Sequence, residues 1–126
     1  MARETLRTDA APSSALYGQG TRNGPFIYVS GMVGIDPATG QLAGPTIQEQ
    51  TRQALANCSA ILEAGDATLE DVVEVGVLLT HSEDFGGMND AYSEVFSAEP
   101  PARYVARLGV TLPDVLVSIR MTAVTA

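Results

Sequence analysis

Arg103 is the side chain of this sequence best placed to bind a substrate. It follows Pro100 and Pro101 and opens a predicted strand, 103–108, on which Arg103, Val105 and Arg107 share one face. A guanidinium on a rigid strand start can hold a carboxylate through two parallel hydrogen bonds. An internal ion pair or a solvated position is the alternative interpretation of Arg103.

The only histidine, His81, and the only cysteine, Cys58, are weaker candidates. His81 stands between a predicted strand end and a helix cap, without a Ser-His-Asp or Cys-His signature, so a surface or capping role is favoured over general-base work. Cys58 lies on the apolar stripe of a predicted helix, which favours a small buried hydrophobe over a reactive thiol. One cysteine forms no internal disulfide, and no Cys/His cluster offers zinc ligands, so no metal site is expected. Spacing does not exclude a catalytic carboxylate pair, but the predicted strands bring no two acids onto one pocket face.

The charge of the chain excludes several functions. Its 126 residues include seven basic and fifteen acidic side chains, a net charge of −8, so binding to a nucleic-acid backbone is not expected. All seven basic residues are arginine, which rules out Schiff-base chemistry on a lysine of this chain and a P-loop lysine. Residues 1–99 hold four arginines and fourteen acids, whereas residues 100–126 hold three arginines against Asp114 alone. A small anion is therefore expected to bind in the last quarter of the chain.

Length and composition predict one globular domain. Hydrophobic residues make up 45% of the chain and charged residues 17%. No apolar run approaches the length of a membrane span and no signal peptide is recognisable, so a cytoplasmic location and no membrane partner are expected. We expect residues 1–14, which are polar and rich in Ala, Ser and Pro, to be a loosely ordered segment ahead of a single domain, 15–126.

The order of elements predicts an α+β fold. Residues 16–20 and 26–31 flank the turn signal Asn23-Gly24 and predict a hairpin, and residues 36–40 predict a turn. Thr46 and Glu49 form a capping box for a helix over 46–64 that stops at Gly65. Further predicted elements are a strand at 72–80, a helix at 83–97 capped by Ser82, and strands at 103–108 and 115–124. The resulting order β-β-α-β-α-β-β allows one mixed sheet with both helices on one face.

The last predicted strand has two different faces. Alternate residues from Val115 to Ala123 are apolar and can pack on the helices. The other face carries Leu116, Ser118, Arg120 and Thr122. That mixture favours a face lining an intersubunit site over one open to water.

Several stretches together resemble the Rid (YjgF-like) family of reactive-intermediate deaminases, also known for its L-PSP endoribonuclease members. They span most of the chain in the right order: Tyr17-Gly18-Gln19-Gly20, Phe26 to Gly31 leading to Asp36-Pro37-Ala38-Thr39-Gly40, the segment 50–57, Leu69-Glu70-Asp71-Val72-Val73, Asp84-Phe85 to Asn89 and Tyr92, and Pro101-Ala102-Arg103. No single stretch is decisive, but the ensemble is specific.

The resemblance implies a chorismate-mutase-like sandwich that forms homotrimers, with a small pocket at each subunit interface. It implies cofactor-independent hydrolysis of 2-imino or enamine carboxylic acids to 2-keto acids and ammonia, with neither metal nor organic cofactor. The family arginine that binds the substrate carboxylate matches Arg103. The other family pocket positions match Tyr17, Ser30, Gly31, Asn89, and the backbone of Tyr104 and Val105.

The sequence departs from the family pattern in the water-handling half of the pocket. Deaminating members usually carry a glutamate where Ser118 stands, and a serine can bind a water but is no base near neutral pH. A further family glutamate is replaced by Arg107, Tyr104 replaces a usually small residue, and Ala15-Leu16 replaces a usual Gly-Pro. Arg107 and Arg120 become candidate additional contacts for an anion.

Two functions remain open from the sequence. One is imine hydrolysis, or a variant of it on another small carboxylate, with Arg103 and Ser118 as the catalytic pair. The other is a non-catalytic trimer that binds 2-keto acid-like metabolites, which Ser118 favours. The RNA-cleaving role of some family members is disfavoured by the net charge and by the lack of a histidine–carboxylate set.

Overall fold

A computed structural model of the protein describes residues 3–126 and contains one main six-stranded sheet covered by two helices. The strands are β1 (Glu4–Leu6), β2 (Gly20–Asn23), β3 (Phe26–Val33), β4 (Ile35–Asp36), β5 (Gln41–Leu42), β6 (Val72–Leu79), β7 (Ala102–Arg107) and β8 (Val117–Val124). The helices are α1 (Ile47–Ala64) and α2 (Phe85–Val95), and short 3₁₀ turns at Leu69–Asp71 and Ser82–Asp84 lead into β6 and α2. This is the expected mixed α+β architecture.

The main sheet has the order β1-β2-β3-β8-β6-β7. Only β6 and β7 pair in parallel; the other neighbours are antiparallel. A parallel pair needs a crossover, and α2 supplies it. Strand β7 therefore lies at one edge of the sheet, with β6 as its only strand neighbour among residues 3–126.

The helices cover one face of the sheet and leave the other open. On β8, Val117, Ile119, Met121 and Ala123 are fully buried, whereas the residues between them are only partly buried. Helix α1 packs on β3 and β8, and α2 packs beside α1. The predicted division of β8 into a core face and a polar face is confirmed. We call the uncovered side the outer face.

Helix α1 forms as its sequence predicts. Thr46 and Glu49 make the reciprocal capping box, and Leu55, Ile61 and Leu62 of the apolar stripe are buried. The crossover helix differs: residues 82–84 form a 3₁₀ turn, α2 starts at Phe85, and Ser82 does not cap it. A side chain at Gly87 would overlap Ile47, with its Cβ 2.6 Å from Cγ2, so the close approach of α2 to the start of α1 sets where this helix runs.

The N-terminal part of the chain is more ordered than expected. Strand β1 pairs with β2 and buries Leu6, within the segment predicted to be loosely ordered. The buried side-chain amide of Gln19 bonds to the backbone of Thr8, Ala11 and Pro12 and ties this segment to the sheet. The polar composition of residues 1–14 does not predict this contact, because the amide that makes it belongs to Gln19, outside the segment.

The predicted hairpin exists with its first strand displaced. Strands β2 and β3 flank a two-residue loop, Gly24-Pro25, in which Gly24 has φ of +60°. A loop that tight pairs Asn23 with Phe26 directly, so the first strand is residues 20–23 instead of 16–20. The predicted turn at 36–40 joins two short strands, β4 and β5, which the sequence analysis did not anticipate.

No helix in residues 3–126 is long and apolar enough to cross a membrane.

Candidate functional site

Arg103 lies on the edge strand and faces the side of the helices. It is paired with Val75 of β6, whose side chain is buried in the core. Paired residues of neighbouring strands face the same side of a sheet, so Arg103 reaches toward α2. Val105 and Arg107 follow on the same face, as the sequence predicts.

Four side chains of helix α2 surround or lie near the Arg103 guanidinium. Nη1 donates to Oδ1 of Asn89 at 2.8 Å and lies 3.9 Å from Sδ of Met88. The guanidinium carbon lies 4.8 Å from the ring centre of Tyr92 and 5.9 Å from that of Phe85, both within the range of cation–π attraction. We call Arg103, Asn89, Phe85 and Tyr92 the Arg103 cluster.

The positive charge of the Arg103 cluster is not neutralised by an acidic side chain of the described residues. Among residues 3–126, no carboxylate lies within 4.0 Å of Arg103, whereas Arg52 and Arg120 each have an acidic partner. Burial raises the pKa of Tyr92, an effect that the positive charge of Arg103 opposes, so the Tyr92 phenol stays neutral. A fixed guanidinium beside neutral walls can bind an anion.

A second set of predicted site residues meets on the outer face. Strand β3 is irregular between Val29 and Met32, and this break contains Ser30 and Gly31. A Cβ on Gly31 would lie 3.0 Å from Oγ of Ser118, so the Ser118 hydroxyl stands directly against Gly31. We call Ser30, Gly31 and Ser118 the outer-face cluster.

The loop before β2 closes over Ser30. The Ser30 hydroxyl donates to the Gly18 carbonyl at 2.6 Å, and its backbone N–H donates to the Gln19 carbonyl at 2.9 Å. Tyr17, next in the chain to Gly18, is 52% exposed and lines a cavity of about 240 Å³ against the N-terminal segment. The loop that carries Tyr17 therefore lies beside the outer-face cluster.

One subunit does not bring the whole predicted site together. Ser118 follows Val117 and precedes Ile119, both turned into the core, so its side chain is on the opposite side of the sheet from Arg103. Strand β6 separates β8 from β7. The Arg103 cluster and the outer-face cluster therefore lie on opposite faces of the sheet within a single chain.

Tyr104 and Val105 turn to opposite sides of β7. The ring of Tyr104 lies over Gly76 on the outer face, where a Cβ would be 2.3 Å from the Tyr104 hydroxyl. Val105 is half-buried against the core. Because β7 is an edge strand, one row of its backbone N–H and C=O groups has no strand partner in the part of the chain that the structure describes.

The two additional arginines differ in their surroundings. Arg120 donates to Glu74 at 3.2 Å, to the Thr122 hydroxyl at 2.7 Å and to the Met121 carbonyl at 3.3 Å. An anion at Arg120 would compete with Glu74, which weakens the prediction of an anion contact there. Arg107 has no acidic partner within 4.0 Å among the described residues, and it lines a cavity of about 290 Å³.

Neither Cys58 nor His81 lies in either cluster. Cys58 is fully buried, its Sγ is 3.5 Å from the Ile119 carbonyl, and burial raises its pKa to about 12. Cys58 is therefore a buried structural residue and not a reactive thiol, which is the interpretation that its place on the apolar stripe favours. His81 is exposed before the 3₁₀ turn, and its side chain makes no capping hydrogen bond. In residues 3–126, no three His, Cys, Asp or Glu side chains are grouped to hold a metal ion.

The sequence analysis missed part of the Arg103 cluster. Phe85 and Tyr92 fall within the helix predicted at 83–97, but no role beside Arg103 is predicted for either of them. Tyr92 is buried, but Phe85 is 46% exposed, and both rings contact the guanidinium. Apolar spacing does not distinguish a ring that packs in the core from one that packs on a cation. The feature that could have indicated the contact is Arg103, which faces the same helix.

The comparisons with known proteins agree with this architecture. A family model described as Endoribonuclease L-PSP matches residues 8–125. A RutC family protein of Pyrococcus abyssi is 40% identical over 98% of both chains. The 2-iminobutanoate/2-iminopropanoate deaminase of Mus musculus is 38% identical over 80% of this chain and 76% of its own. The crystal structure of the YjgF gene product of E. coli has a TM-score of 0.91 and 31% identity, and the match covers 98% of this chain and 99% of that one.

The mixed sheet with two helices on one face therefore defines a YjgF-like α+β protein. The chain belongs to the Rid (YjgF-like) family, to which the Endoribonuclease L-PSP model corresponds. The resemblance inferred from the sequence motifs is confirmed.

Proposed function

We propose that the chain forms a homotrimer and hydrolyses 2-imino or enamine carboxylic acids at sites between its subunits. The observation that carries the proposal is the Arg103 guanidinium, oriented by Asn89 at 2.8 Å and two aromatic rings but lacking an acidic partner among the described residues. A substrate carboxylate supplies that partner. The mouse relative, named as a 2-iminobutanoate/2-iminopropanoate deaminase, supports this choice of substrate class.

Assembly explains why the site is divided within one chain. The outer face exposes Phe26, Tyr28 and Tyr104, an apolar area that association would bury. In a closed ring the contact is heterologous, so the edge strand of one subunit meets a different surface of the next. We propose that this contact joins the Arg103 cluster of one subunit to the outer-face cluster of its neighbour.

The reaction needs orientation more than strong catalytic groups. Water adds through its oxygen to the imine carbon, and one of its protons passes to the nitrogen. The C–N bond of the resulting carbinolamine then breaks while the hydroxyl proton passes to the leaving nitrogen, giving the 2-keto acid and ammonia. Arg103 fixes the carboxylate next to the reacting carbon, and orientation of this kind can supply roughly 7–11 kcal/mol of a barrier. The Ser118 hydroxyl and backbone carbonyls would position the water without a carboxylate base. No metal or organic cofactor takes part in these steps.

Ser118 also favours a second candidate, a trimer that binds 2-keto acid-like metabolites without turning them over. General-base assistance typically contributes ~10²–10⁴-fold to a rate, and a hydroxyl does not provide it near neutral pH. The Arg103 cluster serves a binder as well as an enzyme. The two functions therefore differ only in turnover.

Ammonia release from freshly generated 2-iminopropanoate tests the proposal. We expect slow but measurable hydrolysis by the wild type and none above background in Arg103→Ala. Arg52→Ala is the matched control, since Arg52 is also an arginine but lies on α1 in an exposed pair with Glu94. Binding of 2-oxobutanoate should weaken by about 1.5–3 kcal/mol in Arg103→Ala, the value of a charged hydrogen bond.

Each outcome has a consequence. Binding that depends on Arg103 without any turnover would replace the enzyme by the binder. Equal affinity in Arg103→Ala and the wild type would return Arg103 to a structural role. Light scattering should give a mass near three times 13.2 kDa, and a monomer would refute the interfacial site.

A further inference from the structure

Strand β7 carries a second uncompensated arginine on the face of Arg103. Arg103 is paired with Val75 and Arg107 with Leu79, and both partners are buried on the side of the helices. Both arginines therefore extend toward α2. Their Cα atoms are four residues apart, about 13 Å along a strand.

Phe85 connects the two arginines. The guanidinium carbon of Arg103 lies 5.9 Å from the ring centre of Phe85, which is the first residue of α2. Phe85 also lines the cavity of about 290 Å³ that contains Arg107. The ring of Phe85 is thus near both cations: it forms part of the wall of the Arg107 cavity and lies beside the Arg103 guanidinium.

The walls of this cavity are mostly apolar. Its other lining residues are Leu79, Ser82, Val105 and Ala106. Among the described residues, neither Arg103 nor Arg107 has a carboxylate within 4.0 Å, although the chain has more than twice as many acids as arginines. An arginine in an apolar cavity, with a second arginine beside the Phe85 ring that lines it, suits a ligand with a carboxylate at each end and methylene groups between.

We propose that Arg107 is a specificity-determining residue that binds a second carboxylate, so that the site takes 2-imino and 2-keto dicarboxylates in preference to monocarboxylates. The inference rests on the proposed function, because Arg103 must hold the first carboxylate. Arg107 then acts on the far end of the substrate, away from the imine carbon. The apolar walls contact the carbons between the two ends.

Calorimetric binding of two stable keto acids tests this inference apart from turnover. The probes are 2-oxoglutarate and 2-oxopentanoate, which have five carbons each and differ in the second carboxylate. Measured in about 0.15 M salt, where diffuse attraction is screened within about 8 Å, the wild type should bind 2-oxoglutarate at least tenfold more tightly. Arg107→Gln should bring that ratio close to one, and Arg107→Lys should retain part of it.

Arg52→Gln is the control, because it changes net charge equally and lies outside the cavity. Its ratio should equal that of the wild type. Equal affinity for the two acids in the wild type, or an unchanged ratio in Arg107→Gln, would overturn the role of Arg107. If Arg103→Ala still weakened both acids, the proposed function would survive that result. Failure of the wild type to bind either acid would remove the Arg103 site, and the role of Arg107 with it.

Discussion

Replacement of Ser118 by glutamate should accelerate imine hydrolysis, since it would place a base in the outer-face cluster. Ser118 is paired with Val33 and Leu78 and presents its hydroxyl to Gly31, with 3.0 Å between Oγ and the position of a Gly31 Cβ. Because Gly31 has no side chain, a longer residue at 118 can extend past it. Among the described residues, the Ser118 hydroxyl has no hydrogen-bond partner, so the substitution breaks none.

Arg120 limits the size of the gain. It lies two residues from Ser118 on the same face and could bind the new carboxylate. Arg120 already donates to Glu74 at 3.2 Å, with side chains 31% and 51% exposed. Exposed pairs are worth about 0–1 kcal/mol, so capture of the new base would reduce its benefit by about fivefold at most.

The expected increase follows from these two effects. General-base assistance of ~10²–10⁴-fold, reduced about fivefold, leaves an increase of at least tenfold in kcat/KM. Ammonia release from 2-iminopropanoate measures it, with Ser118→Gln as the control of similar shape that has no base. Adding Arg103→Ala should abolish the rate in either background.

A flat result would refute this account of the site. Suppose that Ser118→Glu and the wild type have equal rates both in the original background and when Arg120→Gln is added to each. In that case residue 118 would not face the attacking water. A gain in Ser118→Gln equal to that in Ser118→Glu would show that size, and not basicity, was limiting.

Two further predictions concern the fold. Burial raises the pKa of Cys58 to about 12 from a usual value of 9.0, so the folded chain should resist a thiol reagent at pH 8 and react only when unfolded. The same shift should lower the free energy of unfolding as pH rises from about 9 toward 12, because the unfolded thiol ionises first; a pH-independent stability in that window, compared with Cys58→Ala, would contradict it. Gly34→Ala should destabilise the protein by about 1–3 kcal/mol in urea denaturation, because its Cβ would lie 2.5 Å from the backbone oxygen of Gln50, which cannot rotate away. Gly86→Ala, in a helix position open on all sides, should instead be neutral or stabilising by up to about 1 kcal/mol.

The sequence predicts those elements whose signals are local. The capping box at Thr46 and the alternation along β8 each depend on neighbouring residues, and both are as predicted. Strand β1 depends on a distant partner: it is ordered by pairing with β2 and by the Gln19 amide. Local composition cannot report such contacts, which explains why residues 1–14 were expected to be loosely ordered.

The candidate site also combines features that local sequence predicts with contacts that it does not predict. The shared face of Arg103, Val105 and Arg107 follows from strand alternation and is confirmed by the register with β6. The hydrogen bond from Arg103 to Asn89 joins residues fourteen positions apart, and its geometry depends on how α2 crosses β7. Family resemblance singled out Asn89, but no spacing in this chain indicated the contact.

The core face of β8 fixes the position of Ser118 without any contribution from Ser118 itself. Ile119 and Met121 are fully buried, and a slip of one residue would move them to the outer face and Ser118 into the core. The cost of exposing both side chains, roughly 1.5–3 kcal/mol each, holds the register. The side chain at position 118 can therefore be replaced by another polar side chain without a change of register. Arg107 can also be replaced without loss of the fold, because it is exposed at the edge of the sheet and forms no ion pair among the described residues. The fold thus holds the Arg103 guanidinium against α2, whereas residues 107 and 118, which select the substrate and position the water under the two proposals, contribute little to the fold.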